Sequence, residues 1–278
     1  MIFISAIATV SGPVNLYSVS QHFLHYVDQQ SPKYMSHSLK EQIPELLHFV
    51  SRLNTTEALQ LMAHKFPGQV TFSSSFSYED QVITHDILSS PTPGVTGISI
   101  FTLETGRLFP ETFSVWNSTN DRYNTHITAY YPNTKDIQNF VNAKGPNAFY
   151  ESLENRKTCC HIRKVEPLSR ALQGNAIWVT GLRAEHSVAR QDLEMMEWDD
   201  VNQVIKFHPL LYWTFEQVKA YIRKYNIPYN PLHDKGFVSI GCAPCTRAIR
   251  PGENFRAGRW WWEDESKKEC GLHERVVN

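Results

Sequence analysis

Between residues 69 and 225 the chain alternates short apolar runs with amphipathic stretches, and this alternation constrains its fold more than any other feature. The runs at 69–76, 96–103, 124–131, 176–182 and 204–211 have the length and the β-branched or aromatic content of strands. Helical spacing occupies the intervals, at 79–89, in a helix entered through Pro110, at 134–143, in a stretch ending at Leu172, and at 214–225. Two more helices, at 39–53 and 55–66, precede the first strand. Strands and helices in this order predict an α/β fold, a parallel twisted sheet with helices on both faces. Ligands of such sheets sit at the carboxyl ends of the strands. Three unusual turns, at 73–80, 104–107 and 181–190, each follow a predicted strand. They are expected to meet at one edge, with the Pro- and Gly-rich stretch from Pro228 folding over it.

Composition narrows the class. The 278 residues carry a net charge of −1 and are 41% hydrophobic, so neither a disordered chain nor a broad basic surface for nucleic acid is indicated. The apolar N-terminus is interrupted at Ser11-Gly-Pro13 and has no Lys or Arg before Lys33. It is therefore neither a membrane span nor a standard secretory signal, and a cytoplasmic protein is expected. Residues 1–36 read as a disordered extension, with Met35 as the expected natural start. Residues 37–262 read as the catalytic domain and 263–278 as a mobile tail. The sequence is compatible with a homo-oligomer.

The five cysteines are clustered. Cys159 and Cys160 are adjacent, Cys242 and Cys245 form a Cys-x-x-Cys pair in Ser239-Ile-Gly-Cys-Ala-Pro-Cys-Thr-Arg247, and Cys270 stands near the C-terminus. Adjacent cysteines seldom form a disulfide, because the geometry is strained. Four thiolates in this arrangement suit a tetrahedral zinc or a 4Fe–4S cluster, and the adjacent pair sits more easily on a cube than around one small ion. Cys270, with Lys267 and Lys268 before it and His273 after it, is a candidate nucleophile. The turn Ser73-Ser-Ser-Phe-Ser-Tyr-Glu-Asp80 offers hydroxyls and N–H groups at a helix N-terminus, an arrangement suited to anions. Arg183, Arg190, Arg256 and Arg259 could hold phosphate or sulfate if they converge.

Taken together these stretches resemble the assimilatory adenylyl-sulfate reductases, the cluster-containing branch of the phosphoadenylyl-sulfate reductase family. The resemblance runs from about Leu46 to His273. It is carried by 73–80, by Leu-Glu-Thr-Gly-Arg-Leu-Phe-Pro-Glu-Thr at 103–112, by Lys157-Thr-Cys-Cys-His-Ile-Arg-Lys-Val-Glu-Pro-Leu168, and by Thr180-Gly-Leu-Arg183. Farther on it is carried by 227–236, 239–247, Arg256-Ala-Gly-Arg-Trp-Trp-Trp-Glu263 and Glu269-Cys-Gly-Leu-His273. It implies an adenine nucleotide α-hydrolase-like fold and a 4Fe–4S cluster on Cys159, Cys160, Cys242 and Cys245. It also implies that Cys270 attacks the sulfur of adenylyl sulfate. On the same basis His273 is catalytic, and Ser73, Ser74, Ser75, Glu79, Asp80, Lys164, Arg183, Arg190, Arg256 and Arg259 bind substrate. Two positions depart from the family pattern: Ser77 replaces the usual glycine of the modified loop, and Glu104 replaces the aspartate of Leu-Asp-Thr-Gly.

The implied reaction leaves an S-sulfocysteine on Cys270. If the other four cysteines hold the cluster, none remains to release sulfite, so thioredoxin or a glutaredoxin-like donor is the expected reductant. Competing readings are the same chemistry on 3′-phosphoadenylyl sulfate, an ATP-using enzyme of the same fold, and a zinc-binding protein without catalysis.

Overall fold

The computed structural model describes residues 38–89, 97–186, 193–264 and 272. These belong to one compact unit, His37–Asn278. The extension 1–36, the expected start at Met35, and Arg190, Cys270 and His273 lie outside the described residues.

Six strands form one sheet: β1 Val70–Ser73, β2 Ile98–Leu103, β3 Thr128–Tyr130, β4 Ile177–Val179, β5 Met196–Asp199 and β6 Val204–Phe207. Their order is β3-β2-β1-β4-β6-β5, and every neighbouring pair is parallel except β5 with β6. The α/β expectation thus holds, with one addition, the antiparallel edge strand β5. Its sequence Met-Glu-Trp-Asp sits in an acidic run and lacks the apolar content by which a strand announces itself. Strands β4 and β6 are buried along their whole length, as central strands covered on both faces must be. The predicted strand at 124–131 begins only at Thr128, because the preceding helix runs to Tyr123 and ends on Asn124 in the left-handed conformation (φ 46°).

The helices are α1 Ile43–Val50, α2 Thr55–Lys65, α3 Tyr78–Leu88, α4 Pro110–Tyr123, α5 Thr134–Lys144, α6 Leu153–Cys160, α7 Glu166–Leu172 and α8 Phe215–Lys224. Their starts are chemically marked. Asn54 with Glu57, and Thr214 with Gln217, close capping boxes at α2 and α8. Pro110 opens α4, where its missing N–H costs nothing. Between α6 and α7 the backbone widens into a π-helical turn, His161–Val165. Phe101 and Trp178 from the sheet pack against Leu168, Ala171 and Leu172 of α7. Each large apolar side chain so buried contributes about 1.5–3 kcal/mol.

The sheet order reverses direction at β1, which lies between β2 and β4. The crevice at the carboxyl ends of β1 and β4 is therefore where a ligand is expected. The segment after α8 crosses this edge. The Pro228 carbonyl accepts from Gln81 Nε2 (2.7 Å), Asn230 Nδ2 donates to Thr112 Oγ1 (3.2 Å), and His233 stacks on Tyr78 with centroids 4.0 Å apart. The stretch 227–236 is thus a strap tied to α3 and α4, not part of the crevice wall.

Candidate active site

A cleft with about 1320 Å³ of empty volume opens at this crevice. Its walls come from all three unusual turns, from the segment 238–242, and from Lys164, Arg256, Arg259 and Trp260. Leu272, the one described residue after Asp264, also lines it and packs against the Phe101–Trp178 cluster.

The serine turn is held from within. Ser74 N–H donates to the Phe101 carbonyl (2.8 Å), and Phe76 N–H donates to Ser74 Oγ (3.2 Å). Ser75 donates from both its N–H (2.6 Å) and its hydroxyl (2.7 Å) to Asp80. Ser73 Oγ accepts from Trp178 Nε1 (2.8 Å). Burial pushes Asp80 up to about 6, against the pull of the Ser75 hydrogen bonds. The turn lines the cleft with the Ser73, Ser74 and Ser77 oxygens acting as hydrogen-bond acceptors and the Ser75 hydroxyl donating to Asp80. Phe76, in the left-handed region at φ 59°, takes the bend that a glycine would otherwise supply.

Positive charge at the cleft comes from Arg256, Arg259 and Lys164. Arg259 is 7% exposed, with its guanidinium centre 4.7 Å from the Trp260 ring, and Arg256 lies over the same ring at 5.9 Å. Arg259 Nε is buried without a hydrogen-bond partner among the described residues. Lys164 is also buried and lines the cleft. Arg183 takes a different place. Its Nε donates to Glu79 (2.8 Å) and its Nη1 to Glu185 (2.6 Å) and the Trp213 carbonyl (3.1 Å). It joins α3 to the end of β4 and is not among the residues lining the cleft.

Behind Lys164 lies a smaller cavity of about 350 Å³. Cys159, Cys160, Cys242 and Cys245 all line it, and Phe149 and Trp260 complete the cluster around them. Lys164, Cys242 and Trp260 wall both cavities. Sequence position alone did not reveal Arg163, which follows Cys160 by three residues on the π-helical turn. Its Nη1 donates to the Thr105 carbonyl (2.5 Å), and Thr105 Oγ1 lies 3.3 Å from Cys242 Sγ. A π-turn inside a helix often marks a working site, but no residue pattern announces one.

The four thiols differ. Burial raises Cys159, and burial with the neighbouring Cys242 pushes Cys245 up to about 12. Cys242 is held below the usual thiol value. There burial is outweighed by Lys164, the Thr105 hydroxyl, Arg259 and Arg163. Among the described residues no three His, Cys, Asp or Glu side chains gather around a single ion position. A cube, which takes each thiolate on a different iron, does not need them to. Two buried donors on the wall, Arg163 Nε and Trp260 Nε1, lack hydrogen-bond partners among the described residues. Four thiols outside any disulfide, ringing cations and unspent N–H groups make a donor set that fits an anionic sulfur-rich group.

Residues 69–248 match the family described as the phosphoadenosine phosphosulfate reductase domain. The chain belongs to that family. A protein named adenosine 5′-phosphosulfate reductase from Burkholderia cepacia is 49% identical over 234 residues, covering 84% of this chain and 91% of that one. One of the same name from Allochromatium vinosum is 49% identical over 206 residues, covering 74% and 79%. Among solved structures, the phosphoadenylyl-sulfate (PAPS) reductase of Candida auris, a phosphate complex, superposes with a TM-score of 0.64 at 27% identity, covering 78% of this chain and all of that one.

Against that family pattern, the geometry explains both departures. Ser77 is extended (φ −67°, ψ 170°), so no glycine is required there, and its hydroxyl caps α3 by accepting from Asp80 N–H (3.3 Å). Glu104 folds back so that its carboxylate accepts from Gly106 N–H (2.8 Å). Both residues serve the local backbone.

Proposed function

We propose that this chain reduces adenylyl sulfate to sulfite and AMP with electrons from an external dithiol such as thioredoxin. The observation carrying this reading is the shared wall. A cleft at the carboxyl ends of β1 and β4, cationic on one side, meets a four-cysteine cavity through Lys164, Cys242 and Trp260. The relatives named adenosine 5′-phosphosulfate reductases support it.

In this reading Cys159, Cys160, Cys242 and Cys245 would hold a 4Fe–4S cluster, which when bound would supply a fixed anionic charge beside Lys164. Arg256, Arg259 and Lys164 bind the phosphosulfate and stabilise the charge that develops on its oxygens. The Cys270 thiolate forms a bond to the sulfonate sulfur while the sulfur–oxygen bond to AMP breaks, and AMP leaves with the electron pair. A thiolate of the external donor then attacks Cys270 Sγ, sulfite departs, and the donor's second thiol reduces the mixed disulfide. His273 assists Cys270, and Arg190 joins the anion site. Leu272, seated on the cleft wall two residues after Cys270, supports this placement of the nucleophile. Clustered cysteines that form no disulfide suit a reducing cytoplasm.

The test is anaerobic sulfite release with thioredoxin, comparing adenylyl sulfate with its 3′-phosphorylated form. Preference for the unphosphorylated substrate is expected, and sulfite from neither would overturn the proposal. Cys270→Ser should retain the brown colour and release no sulfite.

A further inference from the structure

Arg156 is among the largest fully buried side chains, at 0% exposure, and nothing in the proposed reaction uses it. It stands one helical turn before Cys160 on α6, so the two share a face. Its guanidinium makes a two-pronged pair with Glu263, Nε to Oε1 at 3.0 Å and Nη2 to Oε2 at 2.8 Å. It lies over the Trp260 ring at 4.8 Å and lines the four-cysteine cavity. Cys160 also engages it, by charge and by a side-chain hydrogen bond. One cation therefore touches a cavity cysteine, the cavity's tryptophan and a carboxylate 107 residues away. A buried pair of this kind brings little net stability over an apolar replacement, so its position calls for another explanation.

Glu263 precedes Cys270 by seven residues, a length of chain that reaches at most about 25 Å. Leu272, packed on the cleft wall, follows Cys270 by two. In sequence Cys270 falls between two described residues, Glu263 paired with Arg156 and Leu272 lining the cleft. We propose that Arg156 is a positioning residue: by gripping Glu263 it fixes the base of the segment that carries Cys270 and ties that hold to the four-cysteine cavity. The inference rests on the reading of Cys270 as the nucleophile.

The experiment uses the full-length, iron-loaded protein and two variants, Glu263→Gln and Arg156→Lys. Three readouts are taken: iron content with the visible spectrum, the rate of Cys270 alkylation by iodoacetamide followed by peptide mass, and KM against kcat for sulfite release. In Glu263→Gln, Cys270 should alkylate faster by on the order of tenfold and KM should rise, because a charge-assisted pair has been weakened while the fold is kept. Arg156→Lys, which keeps the charge but loses the fork, should fall between that variant and the native protein. Native alkylation rates in both variants overturn the proposal, whatever their iron content. If the native protein makes no sulfite, the reading of the reaction fails, while the alkylation comparison still decides whether Arg156 holds the segment.

Discussion

Arg259 shows how a single side chain can report a missing partner. A guanidinium this buried, held by the Trp260 ring and the Ile240 carbonyl but with no ion pair among the described residues and an unspent Nε, is further stabilised by an anion that joins it. Inorganic phosphate or sulfate should therefore raise the melting temperature of the native protein, and Arg259→Gln should abolish that shift and lower kcat/KM on the order of a hundredfold. A full phosphate response in Arg259→Gln would remove the residue from the anion site. Two carboxylates carry the opposite message. Asp80 and Asp86 are both pushed up to about 6, chiefly by burial, although Asp86 accepts a 2.5 Å hydrogen bond from the Tyr221 hydroxyl. A carboxyl raised on folding binds its proton more tightly in the native state, so stability falls as pH rises from about 4 to about 6 and levels above that. The slope is about 1.4 kcal/mol per pH unit for each group. Asp86→Asn should remove about half of that slope in urea titrations taken across the window.

At the scale of elements, two close approaches set the cleft's walls. A Cβ on Gly181, at the end of β4, would lie 2.1 Å from Asp80 Oδ1, and one on Gly241 would lie 2.3 Å from Arg259 Nη2. Both glycines are demanded by neighbours and not by backbone angle. Gly241→Ala should therefore displace the guanidinium and raise KM on the order of tenfold with a small change in melting temperature. Gly181→Ala, which presses on a buried carboxylate, should cost about 1–3 kcal/mol of stability. Calorimetry with steady-state kinetics separates the two outcomes. These contacts also mark what the sequence could and could not yield. Strand–helix alternation was legible because burial on both faces writes continuous apolar runs, and the meeting of three turns at one edge follows from parallel order. The cysteine set was legible because residue type and spacing carry its chemistry. The edge strand β5, the widened turn at His161–Val165 and the Arg183–Glu79 pair were not. An arginine bound in a buried pair and an arginine facing a substrate look identical in one dimension, and only packing distinguishes them.

Across the whole molecule, the four-cysteine cavity joins parts that lie far apart in sequence. Cys159 and Cys160 end α6, while Cys242 and Cys245 lie in the segment that folds over the sheet edge. That segment is held to itself by Arg247 N–H on the Gly258 carbonyl and Trp260 N–H on the Cys245 carbonyl, and it reaches α6 through Arg156 and Glu263. A metal group bound by all four thiolates would bind the folded arrangement and not the unfolded chain, so it adds to stability by mass action and closes the loop between residues 160 and 242. Removing iron by chelation under anaerobic conditions should therefore lower the melting temperature by several degrees. The loss should be uneven. Hydrogen exchange should accelerate over 238–264 and at the end of α6, while β1, β2, β4 and β6 keep their protection, because the sheet core draws on the Phe101–Trp178 packing and not on the thiols. Equal melting of loaded and stripped protein would show that a metal group does not tie these elements together, and the edge segment would then stand on its hydrogen bonds, the Arg156–Glu263 pair and its aromatic packing.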